Sequence, residues 1–167
     1  MTQIKRLLDM FTGYGVEFVI AGGVAASIQG LDQATMDLDI CYARHHGNLE
    51  RLAEMLAALH AALRNTPPEL PFTADAETLH RGLNFAFNTD LGPLDLIGEV
   101  PGVGTFERAI AAADTIELLG RRYAVLSLPQ LIAAKRAAGR PKDLLVLPAL
   151  QHLYKRQQDE SLKETGK

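Results

Sequence analysis

The sequence predicts an α+β fold, in which a mixed β-sheet is flanked by helices and followed by a helical C-terminal part. Short apolar runs rich in β-branched or aromatic residues, each bounded by turn residues, indicate strands. Other segments carry apolar residues at steps of three and four, which indicates amphipathic helices. With 167 residues, 47% of them apolar, the chain is long enough for one ordinary core. We expect a single domain over residues 1–156, helical from about residue 127, and a polar tail over residues 157–167.

The elements up to residue 97 follow from apolar patterning. Buried strands are predicted over residues 17–21 and 38–42, with a helix over residues 24–29 between them. A hairpin over residues 83–97 is predicted to turn at Asp90-Leu91-Gly92. Two longer helices are predicted by their apolar stripes, the first of Ile4, Leu7, Leu8 and Phe11, the second of Leu49, Leu52, Leu56, Leu59 and Leu63. A surface loop is predicted over residues 64–74, because this segment contains Pro67, Pro68 and Pro71.

The C-terminal third is predicted to be mainly helical. After a loop over residues 98–104, a short helix over 106–112 and a hairpin over 115–126, a capping box at Ser127-Leu128-Pro129-Gln130 predicts the start of a helix. That helix should end at Gly139. A last helix should begin at Pro141, and Pro148 should kink or end it. The polar tail is expected to fray.

Asp37 and Asp39 are two residues apart at a strand of otherwise apolar character. Alternate side chains of a strand share a face, so both carboxylates point the same way, with backbone positions about 6.5–7 Å apart. Burying two like charges on one face is costly unless a cation or donors compensate. Mg²⁺ suits such a pair, because it is bound by one or two carboxylates together with substrate phosphates.

Gly22 and Gly23 end the preceding strand, and thirteen residues separate them from Asp37. A glycine pair at the start of a helix lets the backbone approach a phosphate closely, and the helix N-terminus offers free N–H donors. The plain alternative is a structural turn beside solvated aspartates. A third acid, Asp95, interrupts an apolar strand of the predicted hairpin and can face the same site if the strands pair suitably; otherwise it lies on a solvated edge.

Charge is distributed unevenly along the chain. Residues 121–156 carry eight Lys or Arg and one acid, whereas residues 1–120 carry seven basic and sixteen acidic residues. Lys135 falls on or beside the buried stripe of its helix, one turn after Leu131, where a triphosphate would be within its reach. The alternative is a lysine whose stem snorkels along the helix edge.

The pattern Gly22-Gly23, thirteen residues, Asp37-Leu38-Asp39-Ile40 resembles the signature of the nucleotidyltransferase superfamily, and is most similar to small bacterial abortive-infection or toxin-type members. Lys135, Arg140, Lys142 and Asp143 resemble the Lys…Arg-x-Lys-Asp stretch of the same family. The resemblance implies a nucleotidyltransferase-like sheet and an enzyme that moves a nucleoside monophosphate from a nucleoside triphosphate to an acceptor hydroxyl or phosphate, on a small molecule or an RNA end.

The resemblance also implies two divalent ions, Mg²⁺ or Mn²⁺, and residue roles. The catalytic metal ligands would be Asp37, Asp39 and Asp95. The nucleotide-binding residues would be Gly22, Gly23, Ser27, Lys135, Arg140 and Lys142. Small members of the family often act with a partner protein, so a cognate partner or antitoxin is expected.

Gln33 departs from the family pattern, because relatives often carry an arginine at that position, two residues before Thr35. Either another cation replaces it, with Arg44 or Arg81 as candidates, or the activity has drifted or been lost. Two further interpretations therefore stay open: a catalytically degenerate domain of the same fold that binds nucleotide or a partner protein, and a simple phosphohydrolase or metal-binding site.

The remaining sequence features indicate a soluble cytoplasmic enzyme. No apolar run approaches the roughly 20 residues that span a bilayer, so no membrane association is expected. The single Cys41 cannot form an internal disulfide and is interpreted as a buried structural thiol. The five histidines match no zinc pattern: His45, His46, His60, His80 and His152.

Overall fold

The structure is a computed structural model that describes residues 2–67 and 69–166. Pro68 of the predicted loop and Lys167 of the tail lie outside the described residues. The helices are α1 (Ile4–Gly13), α2 (Gly22–Ile28), α3 (His46–Ala58), α4 (Ala76–Arg81), α5 (Phe106–Ala112), α6 (Leu128–Ala138) and α7 (Pro141–Thr165). The strands are β1 (Phe18–Ala21), β2 (Leu38–Tyr42), β3 (Ala62–Leu63), β4 (Asn84–Thr89), β5 (Gly92–Ile97), β6 (Glu99–Val100), β7 (Gly104–Thr105), β8 (Asp114–Leu118) and β9 (Arg121–Val125).

A seven-stranded mixed sheet organises the fold, in the order β3-β4-β5-β2-β1-β9-β8. The central strand β2 pairs antiparallel with β1 and parallel with β5, and β1 pairs parallel with β9. The hairpins β4–β5 and β8–β9 lie on opposite sides of the central β2–β1 pair. The prediction of an α+β fold with a mixed sheet and a helical C-terminal part is thereby confirmed.

The core forms because the central strands are apolar on both faces. In β2, Leu38 and Ile40 are fully buried on one face, and Cys41 is fully buried on the other. The predicted stripes of α1 and α3 pack into the same core, with Leu7, Leu8, Phe11, Leu49, Leu52 and Leu56 all fully buried. No helix within residues 2–67 and 69–166 is both long enough and apolar enough to cross a membrane.

Two local predictions are corrected, and one further helix was not predicted. The glycine pair does not precede α2 but forms its first two residues. The leucine stripe of α3 ends with the helix at Ala58, and Leu63 instead lies in the short edge strand β3, where its partner is Phe87. The segment before β4 contains the unpredicted helix α4, which begins because the Asp75 side chain accepts a hydrogen bond from the Thr78 N–H at 2.7 Å.

Helix α6 begins and ends where the sequence predicts. The Ser127 N–H donates to Gln130 Oε1 at 3.0 Å, which is one half of the predicted capping box. Gly139 closes the helix in the left-handed conformation with φ +64°. These two ends fix the direction of α6 and the position of the turn that leads into α7.

Helix α7 runs through Pro148 and continues to Thr165. Pro148 therefore does not end this helix, so that only a kink remains of that expectation, and the tail that was expected to fray is helical as far as Thr165. The turns that follow the proline are held by packing, because Leu150 is fully buried and both Leu153 and Tyr154 pack against the core. The free energy gained by this packing offsets the loss of the backbone hydrogen bond that a proline cannot make within a helix.

Candidate active site

Asp39 and Asp95 are directly paired across two parallel strands, since their Cα atoms are register partners in β2 and β5. Paired residues in neighbouring strands project to the same face, so the two carboxylates lie side by side. Asp37 lies just before β2 and lines the same cleft, with 40% of its side chain exposed against 27% for Asp95. The predicted convergence of these three acids is thus present in the fold.

The glycine pair makes room for the Asp39 carboxylate. Gly22 has φ +59°, and a Cβ built on it would lie 1.9 Å from Asp39 Oδ2. A Cβ on Gly23 would lie 2.8 Å from Thr35 Oγ1. Both positions therefore need glycine for close approach, and Gly22 also for its backbone conformation. The Gly23 N–H is engaged by Asp39 and lowers the pKa of that carboxyl in part.

The net effect of the site is to raise the pKa of Asp39 from 3.8 to about 7. Burial is the largest cause, followed by the neighbouring carboxylate of Asp95 and then the charge of Asp37. With this pKa the Asp39 carboxyl is only partly ionised at neutral pH, and a cation bound beside it would favour its charged form.

Arg64 is the cation that approaches this cluster, and sequence reasoning missed it. Its Nη1 atom lies 3.0 Å from Asp95 Oδ1 and 3.6 Å from Asp37 Oδ2. It follows β3, which is only two residues long and carries no clear strand signal, so neither the strand nor its alignment with β4 could be predicted. The one available signal was an arginine at the start of a loop long enough to border a site.

The two arginines named as replacements for the family cation lie elsewhere. Arg44 Nη1 donates to the Tyr42 hydroxyl at 2.6 Å, and its Nη2 donates to the His80 carbonyl at 2.9 Å. Arg81 forms an ion pair with Glu77 within α4. Neither of them lines the cleft, which corrects that expectation.

On the opposite wall, α6 and α7 present a group of cations around Asp143. This carboxylate is fully buried and accepts from Lys135 Nζ at 3.1 Å and from Arg140 Nε at 2.5 Å. The Arg140 hydrogen bonds are the largest cause that holds the pKa of Asp143 down, to about 2, with Lys135 contributing as well. Asp143 thus ties the end of α6 to the start of α7 and fixes both cations.

These two walls enclose a cleft of about 570 Å³. Every predicted site residue except Ser27 lines it, namely Gly22, Gly23, Asp37, Asp39, Asp95, Lys135, Arg140 and Lys142. Lys142 is exposed and forms no ion pair within the described part of the chain. The acidic N-terminal and basic C-terminal parts of the sequence therefore meet at one place.

Ser27 and Gln33 hold the loop that follows α2. The Ser27 hydroxyl donates to the Gln33 carbonyl at 3.4 Å and faces this loop instead of the cleft. Gln33 does line the cleft, where its Nε2 donates to the Gly23 carbonyl at 3.3 Å. The residue that departs from the family pattern thus contacts the backbone of the glycine pair.

Two observations concern cation binding. Asp95 Oδ1 is buried and is the one such side-chain oxygen or nitrogen, in residues 2–67 and 69–166, without a hydrogen-bond partner. Over the same residues, no group of three or more His, Cys, Asp or Glu side chains is arranged to hold a metal ion by itself. The carboxylates thus offer an unsatisfied oxygen but not a complete ligand shell.

Comparison with known proteins gives structural matches only. No protein-family profile matches the chain, and neither does the sequence of any curated protein. The lincosamide antibiotic adenylyltransferase LnuA, solved with lincomycin bound, matches with a TM-score of 0.57 and 15% identity, over 90% of this chain and 95% of LnuA. ANT(2'')-Ia, solved with adenylyl-2''-tobramycin, matches with a TM-score of 0.48 and 16% identity over 90% and 96% of the two chains. The Thermotoga maritima protein TM1012 matches with a TM-score of 0.48 and 14% identity over 98% and 94%.

Proposed function

We propose that this chain, which has the fold of the nucleotidyltransferases, transfers a nucleoside monophosphate from a nucleoside triphosphate to an acceptor hydroxyl or phosphate. The likeness to LnuA supports the fold, and the site supports the chemistry. The observation that carries the proposal is the cleft in which Asp37, Asp39 and Asp95 face Lys135 and the other cations of the C-terminal helices. Such a cleft can hold a polyphosphate between a metal-binding wall and a cationic wall.

The carboxylates fit divalent metal ions. Burial and the neighbouring carboxylate of Asp95 raise the pKa of Asp39 to about 7, and Asp95 Oδ1 accepts no hydrogen bond. Mg²⁺ takes oxygen ligands and is usually completed by water and substrate phosphates, which agrees with an incomplete protein shell. Asp37 and Asp39 would hold two ions, Mg²⁺ or Mn²⁺, and Asp95 would share one of them. When bound, such ions neutralise the charge that develops on the entering and leaving oxygens.

The protein side chains then have separate roles in an in-line displacement at the α-phosphorus. The acceptor oxygen forms a bond to phosphorus as the bond to the pyrophosphate oxygen breaks, and the acceptor proton passes to Asp95. Lys135 and Arg140, both held by Asp143, and the unpaired Lys142 neutralise the triphosphate and then the pyrophosphate. The start of α2 at Gly22 and Gly23 lines the cleft, and its glycine backbone would contact the phosphates there.

The acceptor is proposed to carry a reactive hydroxyl. LnuA is a lincosamide antibiotic adenylyltransferase, so lincosamides belong among the first acceptors to test. RNA ends and a cognate antitoxin remain proposals that rest on the sequence resemblance. A cytoplasmic location is proposed because Cys41 is a free, buried thiol.

The experiment is the formation of a nucleotide–acceptor adduct. Each α-labelled triphosphate is incubated with Mg²⁺ or Mn²⁺ and a panel of hydroxyl-bearing acceptors, and products are identified by mass. We expect one adduct that requires metal and that Asp37→Asn abolishes. The matched control is Asp90→Asn, because Asp90 lies in the β4–β5 turn, pairs with His60 at 2.6 Å and lies outside the cleft.

Other outcomes separate the alternatives. Metal-dependent stabilisation by a triphosphate without any adduct favours the catalytically degenerate domain; saturation at a hundred times the dissociation constant raises the free energy of unfolding by about 2.7 kcal/mol, which a melting curve detects. Release of inorganic phosphate alone favours a phosphohydrolase. A fully active Asp37→Asn protein contradicts the proposed mechanism.

A further inference from the structure

Arg64 is built into the acidic wall of the cleft. Its side chain is only 22% exposed, and its Nη1 lies 3.0 Å from Asp95 Oδ1 and 3.6 Å from Asp37 Oδ2. One guanidinium thus approaches two of the three carboxylates that would ligate metal ions. No other Lys or Arg within residues 2–67 and 69–166 forms an ion pair with these acids.

The rest of the Arg64 side chain is tied to β4. Its Nη2 donates to the Phe87 carbonyl at 2.7 Å, and its Nε donates to Asn88 Oδ1 at 3.3 Å. Its backbone N–H donates to the Ala86 carbonyl at 2.8 Å, which continues the β3–β4 pairing by one residue. Neutral oxygens of β4 therefore hold the guanidinium at a fixed point near the sheet edge, and these hydrogen bonds do not depend on its contact with the acids.

The contact with Asp95 differs from those tethers. Although the two atoms are 3.0 Å apart, Asp95 Oδ1 has no hydrogen-bond partner, so this ion pair is electrostatic and undirected. Directed, charge-assisted hydrogen bonds are the strong ones, and an undirected pair is more easily exchanged for another cation. The geometry combines a firm anchor on β4 with a replaceable contact on the acids.

We propose that Arg64 is a resident counter-cation of the metal carboxylates, which neutralises Asp37 and Asp95 in the metal-free protein and competes with the divalent ion for them. This inference rests on the proposed function and deepens it. Arg64 is a positioning residue and not a catalytic one, since it acts through the acids.

The competition has a consequence for substrate binding. A tethered guanidinium cannot leave the neighbourhood, so it repels a divalent ion at the same carboxylates and weakens metal binding by the protein alone. A nucleoside triphosphate brings negative charge that compensates this repulsion. Arg64 therefore couples metal loading to nucleotide binding, and the free enzyme holds metal weakly.

The test measures Mn²⁺ affinity by titration of the metal-free full chain without nucleotide. Arg64→Gln should bind Mn²⁺ about five- to tenfold more tightly, because Mn²⁺ no longer has to displace a partly exposed ion pair between Arg64 and the acids. Arg64→Lys, which keeps a charge but loses the planar fork, should be intermediate. The matched control is Arg51→Gln: Arg51 also donates to a carbonyl, that of Gly15 at 3.0 Å, and lies 3.6 Å from a carboxylate, that of Glu17, but outside the cleft.

Melting temperature supplies a second readout. Arg64→Gln should melt lower than the wild type in a chelator, and the difference should shrink at saturating Mn²⁺, whereas a purely structural role predicts an equal loss in both conditions. Unchanged or weaker Mn²⁺ affinity of Arg64→Gln and Arg64→Lys, with normal binding by the wild type, overturns this inference alone. If the wild type binds no Mn²⁺, the proposed metal-dependent function fails, and the inference fails with it.

Discussion

The carboxylates of Asp39 and Asp95 lie side by side on one face of the parallel β2–β5 pair, one register step after the first residue of β2. Two acids in direct register repel, and burial adds to the cost of charging both. This pairing is a principal reason, after burial, why the pKa of Asp39 rises to about 7. The fold thus places two neighbouring carboxyl groups, which disfavour each other's ionisation, on its central strands.

The first prediction is that the metal-free protein loses stability as the pH rises from about 4 to about 7. A carboxyl whose pKa is raised in the folded state binds its proton more tightly there than in the unfolded chain, so its stabilising contribution is complete below pH 3.8 and is lost through pH 7. The loss is on the order of a few kcal/mol, since one pKa unit corresponds to about 1.4 kcal/mol. Chemical unfolding in a chelator at several pH values measures it.

Asp39→Asn is the control for this pH dependence. The amide cannot titrate, so the variant should unfold with a flatter pH profile between pH 4 and 7. Saturating Mg²⁺ should flatten the wild-type profile in the same way, because the bound ion keeps the carboxylate charged. A wild-type profile as flat as that of the variant would show that Asp39 titrates normally.

The second prediction concerns Gly22→Ala. A Cβ at this position would lie 1.9 Å from Asp39 Oδ2, so the carboxylate must move, and φ +59° adds backbone strain. We expect the variant to lose metal-dependent stabilisation by nucleotide and to be destabilised by more than the roughly 1 kcal/mol that such a backbone conformation costs. Melting curves with and without triphosphate and Mg²⁺ measure both effects.

Gly120→Ala separates strain from contact. Gly120 also has a positive φ, +79°, but a Cβ there has nothing within 4 Å. This variant should show only the backbone cost and should keep full response to metal and nucleotide. Equal behaviour of the two alanine variants would mean that the Asp39 contact has no functional weight.

The third prediction is that Asp143→Asn separates the two C-terminal helices. The buried carboxylate binds Lys135 at 3.1 Å and Arg140 at 2.5 Å, and its pKa of about 2 means that it stabilises the fold above pH 3.8 and loses this contribution as the pH falls toward 2. The amide should cost about 1–3 kcal/mol at neutral pH, because charge-assisted hydrogen bonds are lost. Urea unfolding measures the change.

The same variant has a functional readout. With Asp143 neutral, Lys135 and Arg140 are no longer fixed toward the cleft, and triphosphate affinity should fall even where the protein is fully folded. Unchanged affinity in a destabilised protein would restrict Asp143 to a structural role.

The fourth prediction is that Lys142→Ala weakens triphosphate binding by about three- to tenfold, the effect of removing one exposed cation from a polyphosphate. Lys142 lines the cleft and forms no ion pair within the described residues, so its removal should leave stability unchanged. Lys155→Ala is the matched control, because Lys155 is an exposed lysine of α7 outside the cleft. Equal affinities of the two variants would remove Lys142 from the nucleotide site. Isothermal titration gives the comparison.

The sequence by itself determined the features that arise from local chemistry. Apolar runs placed β1, β2 and the β4–β5 hairpin, since burial demands short apolar strands wherever they pair. The capping box at Ser127 and the left-handed end at Gly139 were readable because caps depend on a few neighbouring residues. The glycine pair and the spacing of Asp37 and Asp39 likewise predicted four of the residues that line the cleft.

Only the tertiary structure decided which distant residues meet. The register that sets Asp95 against Asp39 depends on parallel pairing of strands more than fifty residues apart, and no local pattern specifies such a register. Arg64 enters the site because strand β3 pairs with β4. With only two residues, β3 is too short to be recognised in the sequence. The continuation of α7 past Pro148 depends on the packing of Leu150, and the ties of Lys135 and Arg140 to Asp143 depend on the turn between two helices. In each case long-range packing and charge pairing, not propensity, selected the outcome.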